Sequence, residues 1–373
     1  MFCYVWKRSH SWSRHEPLDS QRTIQNVMRA LPQPVPTLEE VADLAGVSRA
    51  TASRVITGNP RVSPKARRAV ERAAQKLGYV PNRAARSLVR KRTDSIGLVI
   101  PEPTTQLFGD PFFPRLVRGI NEEAAERGFQ LVLFTPQTPS DEERLERYIV
   151  GGHVDGVLLV SLHGDDPLPK HFAERRVHAV VGGRPPADAP VSFVDIDNEG
   201  GARQAVRHLA SRGRTRIGTI SGRMDMPVGV DRLAGYRAEL AAAGIAHDPR
   251  LEVIGDFTGE GGARAARELL ARVPDLDAVF VASDPMASAA LRVFAEAGRR
   301  VPDDIAVVSF DDSPIAVSTQ PALSSVRQPI EEMGREMTRL LMRAIEGENG
   351  GTRRVILPAE LIVRASSGEV TTD

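Results

Sequence analysis

The side chains best able to do chemistry in this 373-residue chain are basic, and they cluster near its start. In "NRAARSLVRKRT", Asn82 to Thr93, five arginines and lysines surround one large apolar residue, Leu88. Cations at this density hold phosphates. Leu88 has no core within so short and polar a segment, so either it packs against its own domain or it is used on a partner. Just upstream, "SRATASRVI" reads as a helix capped by Ser48, with Arg49, Ala50, Ser53 and Arg54 facing outward and Thr51 beside them. Arg54 suits a bidentate hydrogen bond to guanine, a contact worth about 1–3 kcal/mol of base discrimination.

Catalytic patterns are lacking. The sequence has no GxSxG elbow, no Walker loop and no GxGxxG after a strand; "GGRPP" and "GGARAA" are only glycine pairs. Asp311 and Asp312 are sequence neighbours, so extended backbone points them apart and weakens any acid/base dyad. Cys3 is the single cysteine and the eight histidines have no zinc-site spacing, so neither an intramolecular disulfide nor a metal is expected, and no cofactor either. No run reaches the ~18 apolar residues of a membrane span, and "MFCYVW" is not a signal peptide. The expected location is the cytoplasm.

Net charge is +1 overall, but residues 35–95 carry +8 and residues 1–34 carry +3, which leaves −10 on the remainder. A basic module on an acidic body implies a polyanion-binding head on something else. Residues 1–34 show no period and read as a disordered leader, or as a mis-assigned start with Met28 as initiator. Residues 35–80 carry dense helix punctuation. Thr37 with Glu40 makes a capping box, Gly46 ends a helix, Ser48 opens a second, and Ser63-Pro64 opens a third that closes at Leu77-Gly78. Val41, Leu44, Val47, Ala52 and Val55 have the spacing of a shared core in a helix-turn-helix. Residues 81–94 form the linker.

From residue 95 to 373, aliphatic runs such as "IGLVI", "VDGVLLV", "DAVFVA" and "IAVVSF" alternate with amphipathic helices such as "GGARQAVRHLASRG". Continuous apolar strands separated by helices predict parallel sheets covered on both faces. Their number exceeds one doubly wound sheet, so two α/β lobes are expected, with ligand at the carboxyl ends of the strands.

The run "TLEEVADLAGVSRATASRVITG…VSPKARRAVERAAQKLGYVPNRAARSL" closely resembles the DNA-binding head of the lactose/galactose repressor family of bacterial transcription regulators. The likeness extends over residues 36 to about 365 and implies a periplasmic-binding-protein-like core. It implies that the linker becomes a hinge helix when paired subunits sit on operator DNA, which suits a segment too short to be helical alone. Leu88 then matches the leucine that wedges between base pairs in the minor groove. Asn82 fits the hinge helix start, Arg83 and Arg86 the phosphates, and Ala84 and Ala85 the close contacts.

For the body, the resemblance implies an effector between the lobes. Asp311 matches an acceptor for ligand hydroxyls, and Arg232 an arginine clamping the ligand from the opposite lobe. Phe257 matches an aromatic that stacks on a ring, with Phe112 and Phe113 at a second apolar wall. Ser161, Ser283, Asp284 and Gln328 complete the implied lining. Relatives that respond to purines carry Arg and Thr where this chain has Met226 and Val228, and Gly182-Gly183 replaces an acidic residue of some sugar-responsive relatives. With "SLHGDDPLP" and "VDIDNEGGA", the body is similar to actinobacterial regulators of sugar and oligosaccharide uptake. The implied protein is a homodimeric repressor without enzymatic activity. It would read a palindromic operator and be controlled, most commonly by release, by a small sugar or oligosaccharide. It would have no membrane attachment, and no C-terminal leucine-heptad helix would make it a tetramer. The competing readings are a sugar-binding transport receptor and a non-specific DNA-binding protein.

Overall fold

The computed structural model describes residues 36–80, 92–186, 189–348 and 350–368. The described residues fall into two compact units, 36–80 and 92–368. Asn82, Arg83, Arg86 and Leu88 fall outside the described residues, as does the leader.

The first unit is three helices, α1 (Leu38–Ala45), α2 (Arg49–Ile56) and α3 (Pro64–Leu77). Each boundary has a local cause. Thr37 and Glu40 exchange hydrogen bonds in a capping box at α1, and Gly46 ends it in the left-handed region at φ 66°. The Ser48 hydroxyl accepts from the Thr51 amide at α2, and Ser63 does the same for Ala66 at α3. Val41, Ala42, Ala52, Val55, Val70 and Ala73 form the core, with Val47 packed at its edge. Leu44 does not join it: its side chain is 46% exposed, and Ala42 takes the inward place. The 100° step per residue, with Val41 and Ala42 already facing inward, carries position 44 to the outer side.

In chain order the second unit begins with β1 (Ser95–Val99), α4 (Thr104–Gly109), α5 (Phe112–Glu126), β2 (Gln130–Phe134), α6 (Pro139–Val150), β3 (Gly156–Val160), α7 (Leu168–Glu174), β4 (Ala179–Gly182) and β5 (Ser192–Ile196). It crosses to a second lobe with α8 (Asn198–Ser211), β6 (Ile217–Ser221), α9 (Pro227–Ala242), β7 (Glu252–Ile254), α10 (Gly259–Arg272), β8 (Ala278–Val281), α11 (Asp284–Glu296), β9 (Ala306–Asp311), α12 (Pro314–Ser318) and β10 (Ser324–Arg327). It then returns with α13 (Ile330–Glu346) and β11 (Arg354–Leu357), and crosses once more to β12 (Glu360–Ile362).

Two six-stranded sheets result, ordered β11-β5-β4-β3-β1-β2 and β12-β10-β9-β8-β6-β7. Every described pairing is parallel except β10 with β12. The expected pair of doubly wound lobes is therefore present. Strands β3, β6, β8 and β9 are buried along their whole length, because helices cover both faces of each sheet. Helix α13 lies directly on α5: a Cβ on Gly119 would sit 2.0 Å from the Glu331 carbonyl, and one on Gly334 2.6 Å from that of Leu116. Only glycine permits this approach, and Met333, beside Gly334, is buried and lines the cavity between the lobes.

Leu44→Ala is expected to change the stability of the head by less than ~0.5 kcal/mol, because no core contact is lost. Val41→Ala should cost about 2 kcal/mol. Urea unfolding of the head, followed by helical circular dichroism, distinguishes the two, and equal losses would contradict this packing.

Candidate functional site

A cleft between the lobes opens at the carboxyl ends of both sets of strands and encloses about 890 Å³ of empty space including its mouth. That is within the range of small-molecule sites. Ser161 follows β3, Gly182 and Gly183 end β4, and Asp195 and Ile196 end β5; Phe257, Ser283, Asp311 and Gln328 sit at the ends of β7, β8, β9 and β10. Three lining residues that are not glycine hold left-handed backbone, Ser161 (φ 60°), Phe257 (φ 68°) and Asp311 (φ 113°). Conformations costing of order 1–3 kcal/mol each persist where surrounding structure enforces them, and they concentrate at ligand sites.

The second-lobe wall is built on Arg232. Its side chain is 4% exposed, yet a guanidinium keeps its charge in proteins. Nε donates to Asn198 Oδ1 at 2.9 Å and Nη1 to the Ala282 carbonyl at 2.6 Å. Nη1 also lies 3.6 Å from Asp311 Oδ1, and the guanidinium carbon is 3.7 Å from the centre of the Phe310 ring. Gln328 Nε2 donates to Asp311 Oδ1 at 2.6 Å. Burial drives the Asp311 carboxyl well above the usual carboxylate range, with Arg232 opposing and Asp284 adding to the rise.

Asp284 does not line the cleft. Fully buried, it accepts from the hydroxyls of Ser309 (2.5 Å) and Ser325 (2.7 Å) and from the Ser313 amide (2.7 Å). It therefore braces the turn carrying Asp311 from behind. Ser283 beside it does face the cleft, and its buried hydroxyl has no hydrogen-bond partner among the described residues. Asp312, turned the other way, pairs with Arg327 and Arg364.

Across the cleft, the first lobe contributes Gln106, Asp110, Ser161, Asp195 and the edge-to-face pair Phe112–Phe113, 5.3 Å between centroids. Burial raises the Asp110 carboxyl, and it raises that of Asp195 to about 6. Phe257 closes the second-lobe side. It reaches its position because Gly222 has no side chain: a Cβ there would be 1.9 Å from the ring.

The structure thus gathers Phe112, Phe113, Ser161, Arg232, Phe257, Ser283, Asp311 and Gln328 around one cavity. It corrects one relation: Arg232 and Asp311 belong to the same lobe and stand side by side, because α9 packs on the sheet that carries β9, so they do not clamp from opposite walls. The facing groups are instead Asp110 and Asp195, which sequence reasoning missed together with Gln106 and Asn198. "VDIDNEGGA" drew attention to the right loop without showing which aspartate faces inward. Met226 and Val228 line the cavity.

On the head, Arg54 and Ala50 are exposed on α2, while Ser53 and Thr51 are half-buried. Arg49 is exposed and ion-paired with Glu39, and Ser48 is occupied in capping.

Residues 37–82 match the family described as "Bacterial regulatory proteins, lacI family", and residues 206–367 match "Periplasmic binding protein-like domain". The chain is 54% identical over 333 residues to the HTH-type transcriptional regulator CelR of Thermobifida fusca, covering 89% of this chain and 98% of that protein. It is 34% identical over 336 residues to the ribose operon repressor of Escherichia coli, covering 89% and 99%. A CelR–cellobiose complex superposes with a TM-score of 0.72 at 52% identity, covering 89% of this chain and 99% of that one. The Lac repressor dimer bound to operator and an anti-inducer superposes with a TM-score of 0.81 at 27% identity, covering 90% and 100%.

The raised Asp195 group predicts a pH signature. Its ionised form is disfavoured in the folded state, so its contribution to stability is intact below about pH 4 and is lost as pH rises through about 6. Asp195→Asn should remove that loss, on the order of 3 kcal/mol at most. Urea midpoints should therefore favour the variant more at pH 7 than at pH 4.5; an equal advantage at both would contradict the assignment.

Proposed function

The chain belongs to the lacI family of bacterial regulatory proteins, and from that premise we propose that it controls sugar-utilisation genes in response to a neutral disaccharide of the cellobiose kind. It is a DNA-binding transcriptional regulator whose cleft holds the effector. The observation that carries the ligand class is the chemistry of that cleft. Arg232, Asn198, Gln328 and three carboxyl groups supply directional partners for hydroxyls, while Phe257 and Phe112 supply flat apolar faces for sugar rings. Asp110, Asp195 and Asp311 outnumber the one fully buried cation among the described lining residues and disfavour phosphorylated or acidic sugars. Met226 and Val228 leave the wall apolar where purine-responsive relatives hold polar groups. The relative solved with cellobiose supports the same class.

On this reading the protein acts in the cytoplasm as a homodimeric repressor and not as an enzyme. Its heads read the half-sites of a palindromic operator through Arg54 and its neighbours on α2. The linker, residues 81–94, places Leu88 in the minor groove. Disaccharide prefers one arrangement of the lobes, alters the spacing of the paired linkers, and so releases DNA. A full switch between mostly bound and mostly free needs about 10⁴-fold differential affinity for the two arrangements.

Fluorescence anisotropy on an operator selected from random palindromes tests this. Cellobiose should weaken binding at least tenfold, and its phosphorylated form should not; operator affinity indifferent to both sugars would refute the effector. Arg54→Ala should relax preference at one base pair by about 1–3 kcal/mol. Unchanged preference would remove that contact, and indifference to scrambling the palindrome would favour a non-specific DNA binder. Asp311→Asn should keep operator binding and lose the sugar response.

A further inference from the structure

A second cluster of titratable groups lies at the cleft mouth, beyond the ring of residues assigned to the effector. Glu102, in the loop after β1, is buried, and its carboxylate accepts the Ser161 hydroxyl at 2.5 Å. The same oxygen lies 2.9 Å from Nε2 of His163. Nδ1 of that imidazole lies 3.2 Å from Oδ2 of Asp225, in the loop between β6 and α9. Glu102, Ser161 and His163 are first-lobe residues, whereas Asp225 belongs to the second lobe. Asp225 is fixed in turn: Arg223 grips its carboxylate at 3.1 and 2.8 Å, and its carbonyl accepts the Gly164 amide at 2.6 Å. The imidazole therefore spans the gap between lobes, and its inner partner holds a residue that lines the cavity.

We propose that His163 is a proton-dependent latch that holds the two lobes closed over an occupied cleft, with Glu102 linking the latch to Ser161 on the cavity wall. The proton requirement follows from the partners. A neutral imidazole has one N–H and one lone pair, so it donates to a single carboxylate; only the imidazolium donates from both nitrogens at once. Groups facing the ring set the balance. Glu102 and Asp225 favour the charged form, burial and Arg223 oppose it, and the net direction is upward. Asp166, in the same loop, also feels the ring charge. Opening the lobes removes Asp225 from Nδ1, so closure takes up a proton and acid stabilises the closed form. The link to occupancy rests on reading the cleft as the effector site.

The test uses the full-length protein, its His163→Gln and Asp225→Asn variants, and cellobiose as probe. Wild-type protein should release the sugar several-fold more slowly at pH 6 than at pH 8, because the closed form binds the histidine proton more tightly than the open form. Both variants should release it faster at pH 6, with that pH difference largely abolished. Asp110, Asp195 and Asp311 are intact in all three proteins, so a pH dependence common to the three belongs to groups other than the latch. Equal release rates and equal pH dependence in wild type and both variants would overturn the latch. A second readout needs no sugar: the His163 ring titration followed by NMR should have its midpoint above the ordinary histidine value in wild type and lower in Asp225→Asn. An unchanged midpoint overturns the latch even if cellobiose binds. A lowered midpoint without cellobiose binding supports the latch and refutes the effector reading instead.

Discussion

One buried cation organises the body of this protein. Arg232 brings a permanent charge to a place that water barely reaches, and an unpaired charge there would cost several kcal/mol. The fold answers with four partners drawn from three elements: Asn198 at the start of α8, the carbonyl after β8, the Phe310 ring within β9 and the carboxyl at its end. Those contacts fix how α9 and α8 lie on the second sheet. They also leave polar groups facing the cavity whose own needs are only partly met inside the protein. A ligand bearing hydroxyls completes the set. The strain at Asp311, Phe257 and Ser161 is consistent with a site held ready by its surroundings.

The lobes are joined by three chain crossings, after β5, before α13 and between β11 and β12. Such a connection permits rigid-body change in the angle between lobes without rebuilding either core. Groups that touch only across the gap are then the ones able to report occupancy. Arg184 pairs with Asp231 across it on one side, and His163 meets Asp225 on the other. Regulation at a distance needs no more than a ligand that prefers one arrangement and a head whose spacing depends on it.

Much of this was legible in the chain alone. The runs that became β1, β3, β8 and β9 announce themselves because both sheet faces are covered and nearly every position is apolar. Strand β10 has no such signature: Ser324 and Ser325 are fully buried, and their hydroxyls are satisfied by Ser367 and Asp284, partners distant in sequence. A strand of serines reads as a loop until those partners are known. The same difficulty hid the site's acidic side. Asp195 closes a strand whose alternation is too short to show which way its carboxyl points, and Asp110 precedes a helix as an ordinary turn residue. Asp284 erred in the other direction, since the family likeness set it on the cavity wall while three serines hold it behind. Head caps were readable to the residue because capping depends on neighbours within four positions.

On the proposed reading, a ligand in the cleft and an operator on the heads compete through a shared arrangement of the lobes. Linkage makes such coupling reciprocal. Calorimetric titration of cellobiose into the free protein and into the protein–operator complex measures it directly. Sugar affinity should fall in the complex by the same factor by which the sugar lowers operator affinity. Identical sugar affinity in the presence and absence of operator would contradict the account.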